Sequence, residues 1–117
     1  LETLKRASSR SESCHADWVT AKATRTLGSV YMRAGRWEQA FLAAERAREL
    51  AESLGSKEDL GAAYRLLGEI ASGWPESGLG PADQYFEKSL ALLRSVGARY
   101  ELDRARSSLA AYRRGHG

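Results

Sequence analysis

Three stretches of this chain align with one another without gaps: ATRTLGSVY from Ala23, AYRLLGEIA from Ala63 and ARSSLAAYR from Ala105. Ala23, Ala63 and Ala105 correspond, and so do Leu27, Leu67 and Leu109, each followed by a small residue, Gly28, Gly68 and Ala110. The spacings are 40 (63 minus 23) and 42 (105 minus 63). A period of this length is the mark of a stacked-repeat architecture, in which each unit buries its apolar face on the next. The stretches between these blocks match as well, since Leu50 pairs with Leu92, Leu54 with Val96, Gly55 with Gly97 and Leu60 with Leu102. Each repeat therefore holds two units.

Within each unit the apolar residues recur every three to four positions. Ala23, Leu27, Val30, Tyr31 and Ala34 form one series, and Trp37, Ala40, Phe41, Ala44, Ala47, Ala51 and Leu54 the next. This is the period of an amphipathic helix. No alternating stretch long enough for a strand competes with it, and β-branched residues are few. Gly35 separates the helices of the first full pair, while Gly55 and Gly97 follow apolar runs where a helix end needs a residue tolerant of positive φ. Ser56 can cap the next helix, with Asp59 favourable in its first turn, and Pro81 suits a first helical position that needs no donor. Six helices are expected, over 1–13, 17–34, 37–54, 57–72, 81–95 and 99–113. Shifting the frame back by 40 sets Leu4 and Ala7 where Ala44 and Ala47 lie, so residues 1–14 read as the end of a preceding repeat. The remainder divides into a repeat over 17–54, a repeat over 57–96 carrying an insertion at 72–81, and a terminal helix over 99–114. The leucines are expected to plug interhelical grooves, with Gly28, Gly68 or Ala110 letting a neighbouring backbone approach.

The 117 residues suit one domain, and 43% hydrophobic with 28% charged is the balance of a chain that folds. No apolar run approaches the roughly 20 residues of a membrane span, and LETLKRASSRSES lacks the apolar centre of a secretory signal. With Cys14 alone no intrachain disulfide can form, which fits a reducing, cytoplasmic setting. A first residue that already reads as mid-helix, and is not Met, suggests a segment of something longer. The net charge is +3, and acidic residues interleave with basic ones, as in ERARELAES and YELDRARSS. No basic block exists to neutralise many phosphates, so nucleic-acid binding is disfavoured.

The stretch TLGSVYMRAGRWEQAFLAAERA, from Thr26 to Ala47, resembles the tetratricopeptide repeat. Leu27, Gly28 and Tyr31 match the Leu-Gly-x-x-Tyr of the family's first helix, Gly35 its turn, Ala40 its first-helix contact and Ala47 its late small residue. Ala44 stands where the family usually has an aromatic, and Glu52 where a proline often ends the repeat. The period of about 40 looks like the longer variant found in large bacterial signalling and transcription-regulator proteins. The resemblance implies an all-α chain of antiparallel helix pairs stacked as a right-handed superhelix.

That geometry would place Lys22, Arg25, Ser29, Arg33, Arg65, Glu69, Arg104 and Ser107 on the inner surface as a basic trough for an acidic or C-terminal peptide, with Arg forks and Lys point charges holding carboxylates. A solvated helix face is the plain alternative. The carboxylate clamp of chaperone-binding members needs asparagines, and the chain has none: Ser29 and Leu66 stand at the matching positions. Cys14 and His15 are adjacent but, with only distant His116 to add, cannot complete a zinc site. Glu45, Glu49 and Glu52 beside Arg46 and Arg48 read as a salt-bridged outer face. No phosphate-cradling or nucleophile motif occurs. Trp74, in a Gly, Ser and Pro setting, either folds back on the helices or marks a contact surface. The expectation is a non-catalytic protein-interaction scaffold without cofactor or metal, within a signalling or transcriptional regulator. Its partners would be a protein or peptide, adjoining repeats, and a second copy through exposed array ends. The alternative is a helical nucleic-acid-binding module.

Overall fold

The computed structural model describes residues 10–74, 78 and 81–116, and the side chains of 19–74, 78 and 81–114. Among them the chain is all-helical: α1 is Arg10–Arg33, α2 Trp37–Leu54, α3 Lys57–Gly73, α4 Ala82–Val96 and α5 Arg99–His116. The expected break between residues 13 and 17 is absent, because α1 runs unbroken from Arg10. The stretch SESCHADW contains neither glycine nor proline, so nothing in it ends a helix. The leading helix expected over 1–13 otherwise lies outside the described residues.

Glycine chemistry ends three of the helices in one way. At Gly35, Gly55 and Gly97 φ is 77°, 69° and 66°. In each case the glycine N–H and the N–H after it turn back onto carbonyls of the last turn. Gly55 donates to Glu52 and Ser56 to Ala51, and Gly97 donates to Arg94 and Ala98 to Leu93, all at 3.1–3.2 Å. This is the Schellman arrangement, which satisfies carbonyls the helix leaves orphaned. Ser56 caps α3: its hydroxyl accepts from the Asp59 N–H (3.2 Å) and donates to the Asp59 carboxylate (2.8 Å). Ser56→Ala is expected to cost about 1 kcal/mol in chemical denaturation, within the 0.5–2 usual for caps; no change would show the cap to be idle. Pro81 stands one residue earlier than expected, as the extended N-cap of α4.

Close approaches give the order of packing. A Cβ at Gly73 would meet the Trp37 ring, pairing the end of α3 with the start of α2. One at Gly68 would sit 2.9 Å from the Phe86 ring, and one at Gly61 2.8 Å from Leu93, so α3 and α4 also run antiparallel. Each helix packs on the next, and α1 also touches α3 and α3 touches α5. The radius of gyration is 15.4 Å. Two apolar clusters result. One joins Ala40, Ala44, Leu66, Leu67 and Ile70 of α2 and α3, with Trp74 folded against it. The other joins Phe86, Leu90 and Leu93 of α4 to Ala105 and Leu109 of α5. The buried Ser89 hydroxyl donates to the Gly61 carbonyl at 2.6 Å, so no orphan is left there.

The repeat positions divide differently from expectation. Gly28 admits both the Leu66 side chain and, at 3.4 Å from a Cβ placed there, the Ala40 backbone carbonyl of α2, whereas at Gly68 the nearest atoms all belong to the Phe86 ring. Leu67 and Leu109 are buried, but their counterpart Leu27 is 47% exposed, alongside Val19 at 48% and Val30 at 55%. On α3 this face is covered by α2, and on α5 by α4. Among the described residues no helix lies before α1 to cover the same face there.

Candidate functional site

Because α1 touches α3 and α3 touches α5 past the intervening helices, the three odd-numbered helices lie together on one side of the molecule. On α1, Arg25, Ser29 and Arg33 follow one another at four-residue spacing, a single ridge one turn apart. Arg65 and Glu69 form the equivalent ridge of α3, and Arg104, Ser107 and Ser108 that of α5. Three hollows lie along this side and share walls. One of about 230 Å³ is walled by Arg25, Ser29, Arg33, Arg65 and Arg104. The next, about 440 Å³, shares Arg65 and Arg104 with it and adds Glu69, Asp103 and Ser107. The largest, about 700 Å³, shares Arg33 with the first and Glu69 and Ser107 with the second, and is floored by Met32, Trp37, Phe86 and Tyr112. Together they make one trough, basic towards α1 and aromatic towards the α2 and α4 side.

Of the expected trough residues, Arg25, Ser29, Arg33, Arg65, Glu69, Arg104 and Ser107 all line these hollows. Lys22 lines none of the three and sits exposed on α1. The surface is less uniformly basic than the expected list of cations. Arg25 reaches the Asp59 carboxylate at 3.4 Å, across from α1 to α3. Arg65 holds both Glu69 oxygens at 3.2 Å, and Ser108 of α5 donates to the same carboxylate at 2.8 Å. Glu69 is thereby a bridge between α3 and α5. Arg65 is only 6% exposed, and its Nε is enclosed with no acceptor among the described residues. A buried donor without an acceptor costs about 1 to 3 kcal/mol, so this guanidinium is incompletely satisfied at the trough wall. Arg33 enters no ion pair among the described residues, and Arg104 lies over the Tyr100 ring at 5.8 Å.

Several of these features had no sequence signal. The Ser56-x-x-Asp59 spacing marks the cap, but nothing near Asp59 announces that its other oxygen meets Arg25, 34 residues away. Ser108, the α5 end of the Glu69 bridge, is one residue from the expected Ser107. The aromatic floor was legible only as core periodicity.

The outer face carries the expected network. Arg48 bonds Glu45 and, at 2.6 Å, Glu52; chiefly the hydrogen bond to Glu45 holds its guanidinium above the usual arginine range. Burial, with Glu45 adding to it, pushes the Tyr85 phenol up. The side chains of Cys14, His15 and His116 lie outside the described residues. No described helix is long and apolar enough to cross a membrane. In comparisons with family models, with curated proteins and with solved structures, nothing matches this chain.

Proposed function

We propose that this chain is a non-catalytic interaction scaffold of the tetratricopeptide kind, whose trough between α1, α3 and α5 takes an acidic stretch of a partner polypeptide. The observation that carries the reading is the convergence of Arg25, Arg33, Arg65 and Arg104, from three helices, on one continuous hollow that leads onto an aromatic floor. Charged forks at one side and apolar surface at the other suit an extended segment that alternates acidic and apolar side chains. The setting would be a bacterial signalling or transcriptional regulator in the cytoplasm. The uncovered face of α1, with Val19, Leu27 and Val30, would take an adjoining repeat or a second copy, since its counterpart on α3 is covered by a helix.

The test is a selection of random 12-residue peptides on the chain, followed by titration of the winners. The expected winners are acidic with apolar residues interspersed, and Arg33→Glu and Arg104→Glu weaken them by about tenfold or more. Winners indifferent to both substitutions would place binding elsewhere and sink the trough reading. A helical nucleic-acid-binding module would need stacking aromatics recurring on the odd helices. Exposed Tyr100 is such a residue, but Glu58 stands at its aligned position on α3.

A further inference from the structure

The basic end of the trough holds more positive charge than its own carboxylates neutralise. Arg25, Arg33, Arg65 and Arg104 wall one hollow of about 230 Å³. Two carboxylates answer them, Asp59 on Arg25 and Glu69 on Arg65, and both are engaged further, Asp59 by Ser56 and Glu69 by Ser108. Four cations less two anions leaves an excess of two. Ser29 lies in the same wall, one turn from Arg25 and one from Arg33, whereas neighbouring Thr26 already donates to the Lys22 carbonyl.

A carboxylate has two coplanar oxygens, which one arginine fork satisfies. A wall of four guanidiniums and a hydroxyl exceeds that need. A phosphomonoester presents three terminal oxygens in a tetrahedral spread and a charge of about −1.5 to −2 at neutral pH, which matches both the number of donors and the excess charge. Arg65 lines this hollow while more than nine-tenths buried, so its guanidinium is held in place rather than free to swing away. Its two intramolecular bonds both come from one terminal nitrogen, Nη1, so the other side of its fork is not engaged by Glu69.

Resting on the trough reading above, we infer that the hollow between Arg25, Ser29, Arg33, Arg65 and Arg104 binds a phosphomonoester carried on the partner polypeptide. Arg33 and Arg104, both exposed at the mouth, close on the phosphoryl oxygens from α1 and α5. Arg25 and Arg65 form the back wall with their carboxylates still in place, and the Ser29 hydroxyl donates between the two α1 arginines. Attachment of phosphate to the partner would then switch docking on. A nucleic-acid phosphodiester carries one charge per phosphate and leaves the excess unmatched, which favours the monoester.

The experiment is a nuclear magnetic resonance titration of the 117-residue chain, following backbone amides and arginine Nε–H signals. The probes are N-acetyl-phosphoserine amide, N-acetyl-glutamate amide and a single-stranded oligouridine. Phosphoserine amide is expected to give saturable shifts at Ser29 and the trough arginines, at a concentration on the order of tenfold lower than the glutamate probe. Arg33→Gln and Arg104→Gln, which alter exposed side chains and leave the core intact, each weaken it about fivefold or more, while Arg46→Gln on α2 leaves it unchanged. Equal or tighter binding of the glutamate probe overturns the phosphoryl inference and leaves the acidic-peptide trough standing. Tighter binding of oligouridine, shifts insensitive to both substitutions, or no shift with phosphoserine amide also overturns it. Loss of the trough reading itself would appear separately, as selected peptides indifferent to Arg33→Glu and Arg104→Glu.

Discussion

Phe86→Ala is expected to lower the stability of the chain by about 3 to 5 kcal/mol. Phe86 is the largest fully buried side chain among the described residues. Its ring lies so close over Gly68 that a Cβ there would be 2.9 to 3.0 Å from three of its atoms. On its other side it meets Tyr112, with ring centroids 6.0 Å apart and tilted by 45°. Truncation removes the transfer free energy of the ring and also leaves a hollow whose α3 wall is a glycine, with no side chain to collapse into it. The coupling can be measured. Gly68→Ala alone should destabilise, because the ring it meets is enclosed and has little room to give. In the Phe86→Ala background the same change should be neutral or stabilising, since alanine is favoured over glycine in a helix by about 1 kcal/mol. Denaturant melts of the four proteins would show this as a non-additive cycle. A cost for Phe86→Ala below about 1.5 kcal/mol, or an additive cycle, would contradict the packing of α4 on α3.

Leu67→Ala is the second large effect, expected at about 2 to 5 kcal/mol. Leu67 is fully buried in the cluster with Ala40, Ala44, Leu66 and Ile70, so its truncation removes apolar contacts and leaves a cavity that close packing fills only in part. Its informative partner is Leu27→Ala. The two leucines hold the same place in the repeat, yet Leu27 is 47% exposed, so its truncation should cost less than about 1 kcal/mol. Equal costs would mean that something covers the α1 face in solution, and analytical ultracentrifugation would then show whether that cover is a second copy. The contrast separates what the repeat assigns from what a neighbour provides.

The helices were legible because their signals are local. An apolar residue every three to four positions selects an α-helix by geometry alone, and Gly35, Gly55 and Gly97 end helices through a backbone conformation that costs other residues strain. The same locality explains the failure at residues 13 to 17. The repeat frame placed a boundary there, but boundaries need a breaker, and the local sequence has none. The candidate trough was legible in part for a related reason. Positions four apart on an amphipathic helix share a face, so Arg25, Ser29 and Arg33 could be grouped in advance, and the repeat carried that face to Arg65, Glu69, Arg104 and Ser107. Lys22, three residues before Arg25, was grouped with that face but sits beyond the hollows, since spacing assigns a side of a helix and not the point along it where a neighbour arrives.

The sequence by itself determined the helical class, three helix ends and the Ser56 cap, because each depends on interactions spanning a few residues. Only the tertiary structure decided which members of the repeat are buried, that Leu66 and Phe86 fill the gaps at Gly28 and Gly68, and that Asp59 and Glu69 temper the trough by engaging Arg25 and Arg65. These outcomes depend on side chains brought together from distant segments. A repeat makes its positions equivalent in sequence, but burial and charge depend on the neighbour each one meets. Leu27 and Leu67, alike in register and unlike in environment, differ for that reason.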